Sequence, residues 1–185
     1  MSHELFHEIV LREVSQNILH TKFISPEVCN LILEACLEKD SWSGNKRQSY
    51  STQDIHLKTE LPSWYELLKV GLDTALEKAS EWWNLGEEIS VAEVFALKYS
   101  MDTQRVLKVH HDDSFISGSI KLNSGYHGAE LFFPRQNFTN KNTPIGDLLL
   151  WPGQITHEHG SATLLSGEKY SITIWTKNED MENYR

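Results

Sequence analysis

The stretch from Ile89 to Lys177 carries the pattern that most restricts the fold. Seven short runs rich in β-branched and aromatic residues, "ISVAEVFALKYS", "QRVLKVH", "SFISGSIKLN", "AELFFP", "GDLLLWP", "ATLLS" and "KYSITIWTK", are separated by turn-forming stretches such as "NSGYHG", "TNKNTP" and "SGE". Many short strands at close spacing predict a β-sandwich or barrel. Upstream the periodicity is helical. "ISPEVCNLILEACLEK" offers Ser25 as N-cap and Pro26 at the first helical position, then Val28, Leu31, Ile32 and Ala35 at helical spacing. A second helix starts near Pro62, with Trp64, Leu68, Leu72, Ala75 and Ala79 in one stripe. The polar residues 41–54 between the helices predict a loop long enough to close over a bound ligand as a lid.

A chain of 185 residues fits one domain. The plan expected is a mainly helical flank over 1–88 packed on the larger sheet of a β core over 89–178. No run approaches the roughly 20 apolar residues of a membrane span. The opening "MSHELFHEIV" lacks the basic and apolar regions of a secretory signal, so a cytoplasmic location is expected. Cys29 and Cys36 lie two helical turns apart, roughly 10 Å along the axis, beyond disulfide reach, and read as buried thiols. A net charge of −9, from 17 basic and 26 acidic residues, gives no footprint for a phosphate backbone and disfavours a nucleic-acid partner.

The chemistry concentrates in "KVHHDDS". This segment contains His-x-Asp twice, as His110/Asp112 and as His111/Asp113. Two imidazoles and a carboxylate on one face of iron(II) leave three positions open for other ligands. A third ligand must then come from another strand, and "WPGQITHEHG" supplies His157 and His159. In the last run Lys169, Ser171, Thr173 and Trp175 alternate onto one face, while Tyr170, Ile172 and Ile174 take the other. The first set is too polar for a core face and reads as a pocket wall able to grip a carboxylate.

Taken in order, these segments resemble the iron(II)/2-oxoglutarate-dependent oxygenases of the prolyl 4-hydroxylase-like group. "FISPEVCNLI" is similar to the family's N-terminal helix opening, "LKYS" to its tyrosine-bearing strand and "LKVHHDDS" to its His-x-Asp strand end. "IKLN" with "GYHGAELFFP" resembles its Leu-Asn strand and Gly-Gly-Glu turn, "PIGDLLLWPGQITHEHG" its approach to the distal histidine, and "SGEKYSITIW" its closing strand. The resemblance implies a double-stranded β-helix of the jelly-roll kind. It also implies an enzyme that couples oxidative decarboxylation of 2-oxoglutarate to hydroxylation of a C–H bond, using iron(II) and dioxygen, with ascorbate as an accessory reductant. A prolyl residue in a peptide or protein is the substrate it points to first.

The resemblance selects His110 and Asp112 as metal ligands, since the family's histidine follows a tripeptide like Leu107-Lys108-Val109 and its aspartate precedes an acid and a serine like Asp113 and Ser114. It selects His159 as the third, since its ten-residue gap from distal histidine to basic residue joins His159 to Lys169. Simple strand alternation points the other way, because Leu107, Val109 and His111 would share a face. Lys169 and Ser171 resemble the basic-x-Ser pattern that holds the far carboxylate of 2-oxoglutarate, and Tyr99 the tyrosine that bonds it. Ala129 stands where the family commonly has the second glycine, a difference expected to concern only the turn. Other readings are a His157/His159 zinc pair, an oxygenase acting on a free amino acid or small metabolite, and a non-catalytic or hydrolytic cupin-like metal protein. Trp151 and Trp175 stand open between core and substrate platform, and Arg135 reads as an exposed loop residue.

Overall fold

The structure, a computed structural model, describes residues 5–47, 50–86 and 88–178, with backbone alone over 43–47 and 50–51. In chain order the elements are a hairpin of β1 (Arg12–Ser15) and β2 (Ile18–Lys22), helix α1 (Pro26–Lys39), a second hairpin of β3 (Ser43–Arg47) and β4 (Tyr50–His56), the short α2 (Leu57–Glu60) and the long α3 (Pro62–Trp83). Ten strands follow: β5 (Ile89–Tyr99), β6 (Leu107–His110), β7 (Ile116–Lys121), β8 (His127–Gly128), β9 (Leu131–Phe133), β10 (Phe138–Thr139), β11 (Asp147–Pro152), β12 (His159–Ser161), β13 (Leu164–Ser166) and β14 (Lys169–Asn178). They form an eight-stranded sheet in the order β1-β2-β11-β7-β14-β5-β4-β3, a four-stranded sheet β10-β9-β12-β6 and a β13-β8 ladder, and the strand pairs are antiparallel. This is the jelly roll that the sequence predicts.

The helices form for the reasons their sequences give. Ser25 Oγ accepts the Val28 N–H at the start of α1, Pro26 sits in the first turn, and Asp40 ends the helix in the left-handed conformation. Val28, Cys29, Ile32 and Cys36 of α1 and Leu68, Leu72, Ala75, Leu76 and Ala79 of α3 pack on Ile120, Leu148, Leu150, Ile172 and Ile174 of the large sheet. Each large side chain so buried contributes roughly 1.5–3 kcal/mol. Both cysteines are buried and free. Leu31, expected in the buried stripe, is 52% exposed; the two cysteines take the inward positions on either side of it.

Beside its helices, the flank over 1–88 also carries β1 to β4, which extend the large sheet at both edges. One expectation is corrected. Residues 41–54, expected as a loop, contain the β3–β4 hairpin, and β4 pairs with β5. β3 is the sheet edge, and Thr52 and Asp54 of β4 are polar yet buried. Residues 48 and 49 lie outside the described residues.

β14 and β5 alternate along the stretch that lines the site. On β14 the residues Tyr170, Ile172 and Ile174 face the helices, and Lys169, Ser171, Thr173 and Trp175 face inward. On β5, Val94 and Ala96 face the helices while Phe95, Leu97 and Tyr99 face inward. The space between the sheets is therefore lined by polar and aromatic groups on the side where the pocket lies.

Candidate metal centre and cosubstrate pocket

His110 closes β6, Asp112 follows in the turn, and His159 opens β12. One donor atom from each lies within 4.8 Å of the others. His110 Nε2 is 3.3 Å from Asp112 Oδ1, and His159 Nε2 is 3.3 Å from Asp112 Oδ2. The outer nitrogens are tied to the backbone: His110 Nδ1 to Lys108 O at 2.7 Å and His159 Nδ1 to His157 O at 3.0 Å. A carbonyl only accepts, so each Nδ1 carries a proton, and each Nε2 is turned to the centre, where it donates to Asp112 if it carries a proton and offers a lone pair to a metal if it does not.

Strand alternation failed to find His110 because β6 carries a bulge. His159 pairs with His110 but Ser161 pairs with Leu107, so three steps along β6 match two along β12. The extra residue turns both Leu107 and His110 into the pocket and leaves Val109 44% exposed. Gly160 allows the close approach this requires, since a Cβ there would meet Leu107 O at 2.7 Å. His111 and Asp113 are exposed, and His111 Nε2 donates to or accepts nothing in the pocket; it lies 2.9 Å from Ile155 O.

Asp112 is the best supported of the three. Ser117 Oγ donates to its Oδ2 at 2.6 Å, and its own N–H donates to Gly153 O at 3.1 Å. Burial pushes the carboxyl pKa up, but the His159 charge and hydrogen bonds from His110, His159 and Ser117 outweigh it and hold the group well below the usual carboxylate range. Burial pulls His159 down, and the adjacent Asp112 overcomes that and raises it. The centre is thus matched to a cation: a fixed negative charge between two neutralisable nitrogens.

His157 is not brought to the centre. Its Nε2 lies 2.9 Å from Gln16 O and its Nδ1 2.8 Å from Thr156 Oγ1, and the residue is 1% exposed. It ties the entry of β12 to the β1–β2 turn, and burial lowers its pKa. The geometry of a His157/His159 zinc pair is therefore absent among the described residues.

Behind the centre the pocket runs along the inner face of β14 and β5. Lys169 is 4% exposed and donates to Ala129 O at 2.7 Å and to Ser161 Oγ at 3.4 Å. Its Nζ lies 4.6 Å from the ring centre of Tyr99, its direct register partner on β5. Burial lowers the Lys169 pKa to about 7, with the like charge of Lys121 adding to the shift and Glu130 opposing it. Ser171, Thr173, Ser119 and Thr52 add hydroxyls to the same wall, and Trp175, Phe95 and Leu97 close it. A buried amine among hydroxyls, its charge disfavoured by burial, fits an anion that would stabilise the protonated form.

Three contributors escaped sequence reading. Ser117 supports Asp112 from β7, on the same inward face as Ser119. Ala129 adopts φ +56° and lends Lys169 its carbonyl, so the turn does more than reverse the chain. Thr52 reaches the wall from β4, a strand its polar residues did not announce. Arg135, as expected, is an exposed loop residue, 3.2 Å from Glu158.

No family model matches the chain. Among solved structures, a Trichoplax adhaerens prolyl hydroxylase in complex with a hypoxia-inducible-factor peptide superimposes with a TM-score of 0.70 at 15% identity, covering 91% of this chain and 86% of that one. The fold is that of the iron(II)/2-oxoglutarate oxygenases. A Pseudomonas putida prolyl-4-hydroxylase shares this oxygenase fold at a TM-score of 0.64 and 17% identity, covering 87% of this chain and 92% of its own. So does the Paramecium bursaria chlorella virus-1 collagen prolyl hydroxylase in complex with 2-oxoglutarate, at 0.64 and 13%, covering 87% and 95%. In sequence, the chain is 24% identical to human procollagen-lysine,2-oxoglutarate 5-dioxygenase 2 over 182 residues, 90% of this chain and 24% of that protein. It is also 24% identical over 178 residues to the Caenorhabditis elegans multifunctional procollagen lysine hydroxylase and glycosyltransferase, 88% of this chain and 24% of that protein. The oxygenase-fold chain thus spans about a quarter of the length of these curated relatives.

Proposed function

We propose that this chain is an iron(II)- and 2-oxoglutarate-dependent dioxygenase that hydroxylates a side chain in a peptide or protein. The observation that carries the reading is the convergence of His110, Asp112 and His159 on one point at the mouth of a pocket whose wall bears buried Lys169. Two neutral imidazoles and one carboxylate are the donor set of an iron(II) facial triad, and the backbone bonds that fix both Nδ1 protons suit that role. When bound, iron(II) with 2-oxoglutarate and dioxygen supplies the oxidising power.

The chain's own residues do the rest. His110, Asp112 and His159 hold the ion and leave its other side open. Lys169, assisted by Ser171 and Tyr99, receives the far carboxylate of the cosubstrate. Leu97, Leu107, Leu131 and Trp151 exclude water from the space between, which strengthens each polar contact there. Trp175 and Phe95, edge to face at 5.4 Å, form the apolar rim against which a substrate side chain can rest.

A prolyl residue is the substrate favoured by the structural neighbours, which act on collagen or bind a hypoxia-inducible-factor peptide by their descriptions. A lysyl residue is the second reading, favoured by the procollagen-lysine relatives. Anaerobic titration of the protein with iron(II) and 2-oxoglutarate should produce the visible charge-transfer band of the chelated cosubstrate. Succinate release should then rise with proline- or lysine-containing peptides above the uncoupled background. Absence of the band sinks the oxygenase reading, and stimulation by free amino acids alone moves it to small-molecule metabolism.

A further inference from the structure

Trp151 stands beside the candidate metal centre with its hydrogen-bonding capacity unused. It lies on the inner face of β11, is 2% exposed, lines the pocket, and sets its ring edge to face against His159, with centroids 5.1 Å apart. Its Nε1–H is buried and has no hydrogen-bond partner among the described residues. A buried donor left unmatched is costly, so one that persists beside a pocket calls for an acceptor that arrives with a ligand.

The position says which ligand. Lys169, buried in the pocket wall, supplies one donor, and Trp151, next to His159, supplies another. A ligand with an anionic oxygen at each end matches both groups, and a 2-oxo diacid is such a molecule. We infer that the Trp151 indole N–H is a cosubstrate-binding donor, bonding an oxygen at the metal-proximal end of 2-oxoglutarate. This rests on the oxygenase reading above. Phe133 packs against both rings, 5.1 Å from Trp151 and 5.4 Å from His159, and holds the indole in place.

The test uses the full chain loaded with zinc(II), which holds the ligands without turnover. Trp151→Phe keeps an aromatic ring and removes the N–H; it should weaken 2-oxoglutarate binding about tenfold, as loss of a charge-assisted bond does, with zinc affinity little changed. In nitrogen-15-labelled wild-type protein the indole resonance missing from Trp151→Phe should move downfield and exchange more slowly with water once 2-oxoglutarate is added. Should the variant fold poorly, the same resonance can be assigned in the wild type through its proximity to the Phe133 and His159 rings. A wild-type protein that binds 2-oxoglutarate with no movement of this resonance overturns the inference alone. A wild-type protein that binds no 2-oxoglutarate overturns both this inference and the oxygenase reading.

Discussion

His110 on β6 lies directly opposite His159 on β12, ring centroids 4.7 Å apart, because a bulge in β6 turns His110 inward. The register depends on Gly160, whose missing Cβ leaves room for Leu107 O. Gly160→Ala should therefore separate the two imidazoles and lower iron(II) affinity tenfold or more, as roughly 10- to 100-fold losses accompany disturbed ligand orientation. Isothermal titration with iron(II) under nitrogen checks this, and an unchanged constant would show that the bulge tolerates the methyl.

Alanine at His110, Asp112 or His159 should abolish 2-oxoglutarate turnover, whereas His111→Ala and Asp113→Ala should retain most of it. Succinate release and metal content, measured on the same preparations, separate the two groups. Loss of metal in Asp113→Ala with retention in Asp112→Ala would mean the register is shifted by one residue.

Ser117→Ala removes the hydroxyl that orients Asp112 while leaving the three donors in place. Metal affinity should fall about 10- to 100-fold. Cooperative thermal unfolding should persist, which distinguishes lost orientation from lost structure.

Lys169 makes cosubstrate binding depend on pH. Before binding, burial leaves its pKa at about 7; pairing with a carboxylate raises that value, so the ligand prefers the protonated form and takes up a proton. Above pH 7 the apparent dissociation constant should rise about tenfold per unit until the pKa of the complex is reached, and below pH 7 it should flatten. Lys169→Ala should lift the constant at pH 7 by about two orders of magnitude, matching the roughly 3–5 kcal/mol cost of breaking a buried ion pair, and should remove the slope. Titrations in buffers of differing ionisation enthalpy report the proton directly.

Ala129 sits at φ +56°, where a non-glycine residue costs roughly 1–2 kcal/mol. Glycine relieves this but loses about 0.5–1 kcal/mol through its freer unfolded chain. Ala129→Gly should thus stabilise the protein by about 0.5–1 kcal/mol in urea unfolding. Because Ala129 O holds Lys169, the same change should also shift the 2-oxoglutarate constant.

The sequence alone determined the elements whose cause is local. Ser25 and Pro26 start α1, the period-two pattern of β14 puts Lys169, Ser171, Thr173 and Trp175 on one face, and the run of short strands predicts a sandwich or barrel, which the resemblance of the ordered motifs narrows to a jelly roll. Local patterns carry such information because capping and strand alternation depend on residues a few positions apart. The tertiary structure decided what depends on pairing between distant strands. Only the register of β12 on β6 placed the bulge that brings His110 inward against the alternation of its own strand. Only the sheet order brought the polar segment around Thr52 beside β5 as a strand, and Ser117 under Asp112. Those relations are fixed by hydrogen bonds and packing between segments far apart in the chain, and no short window of residues contains them.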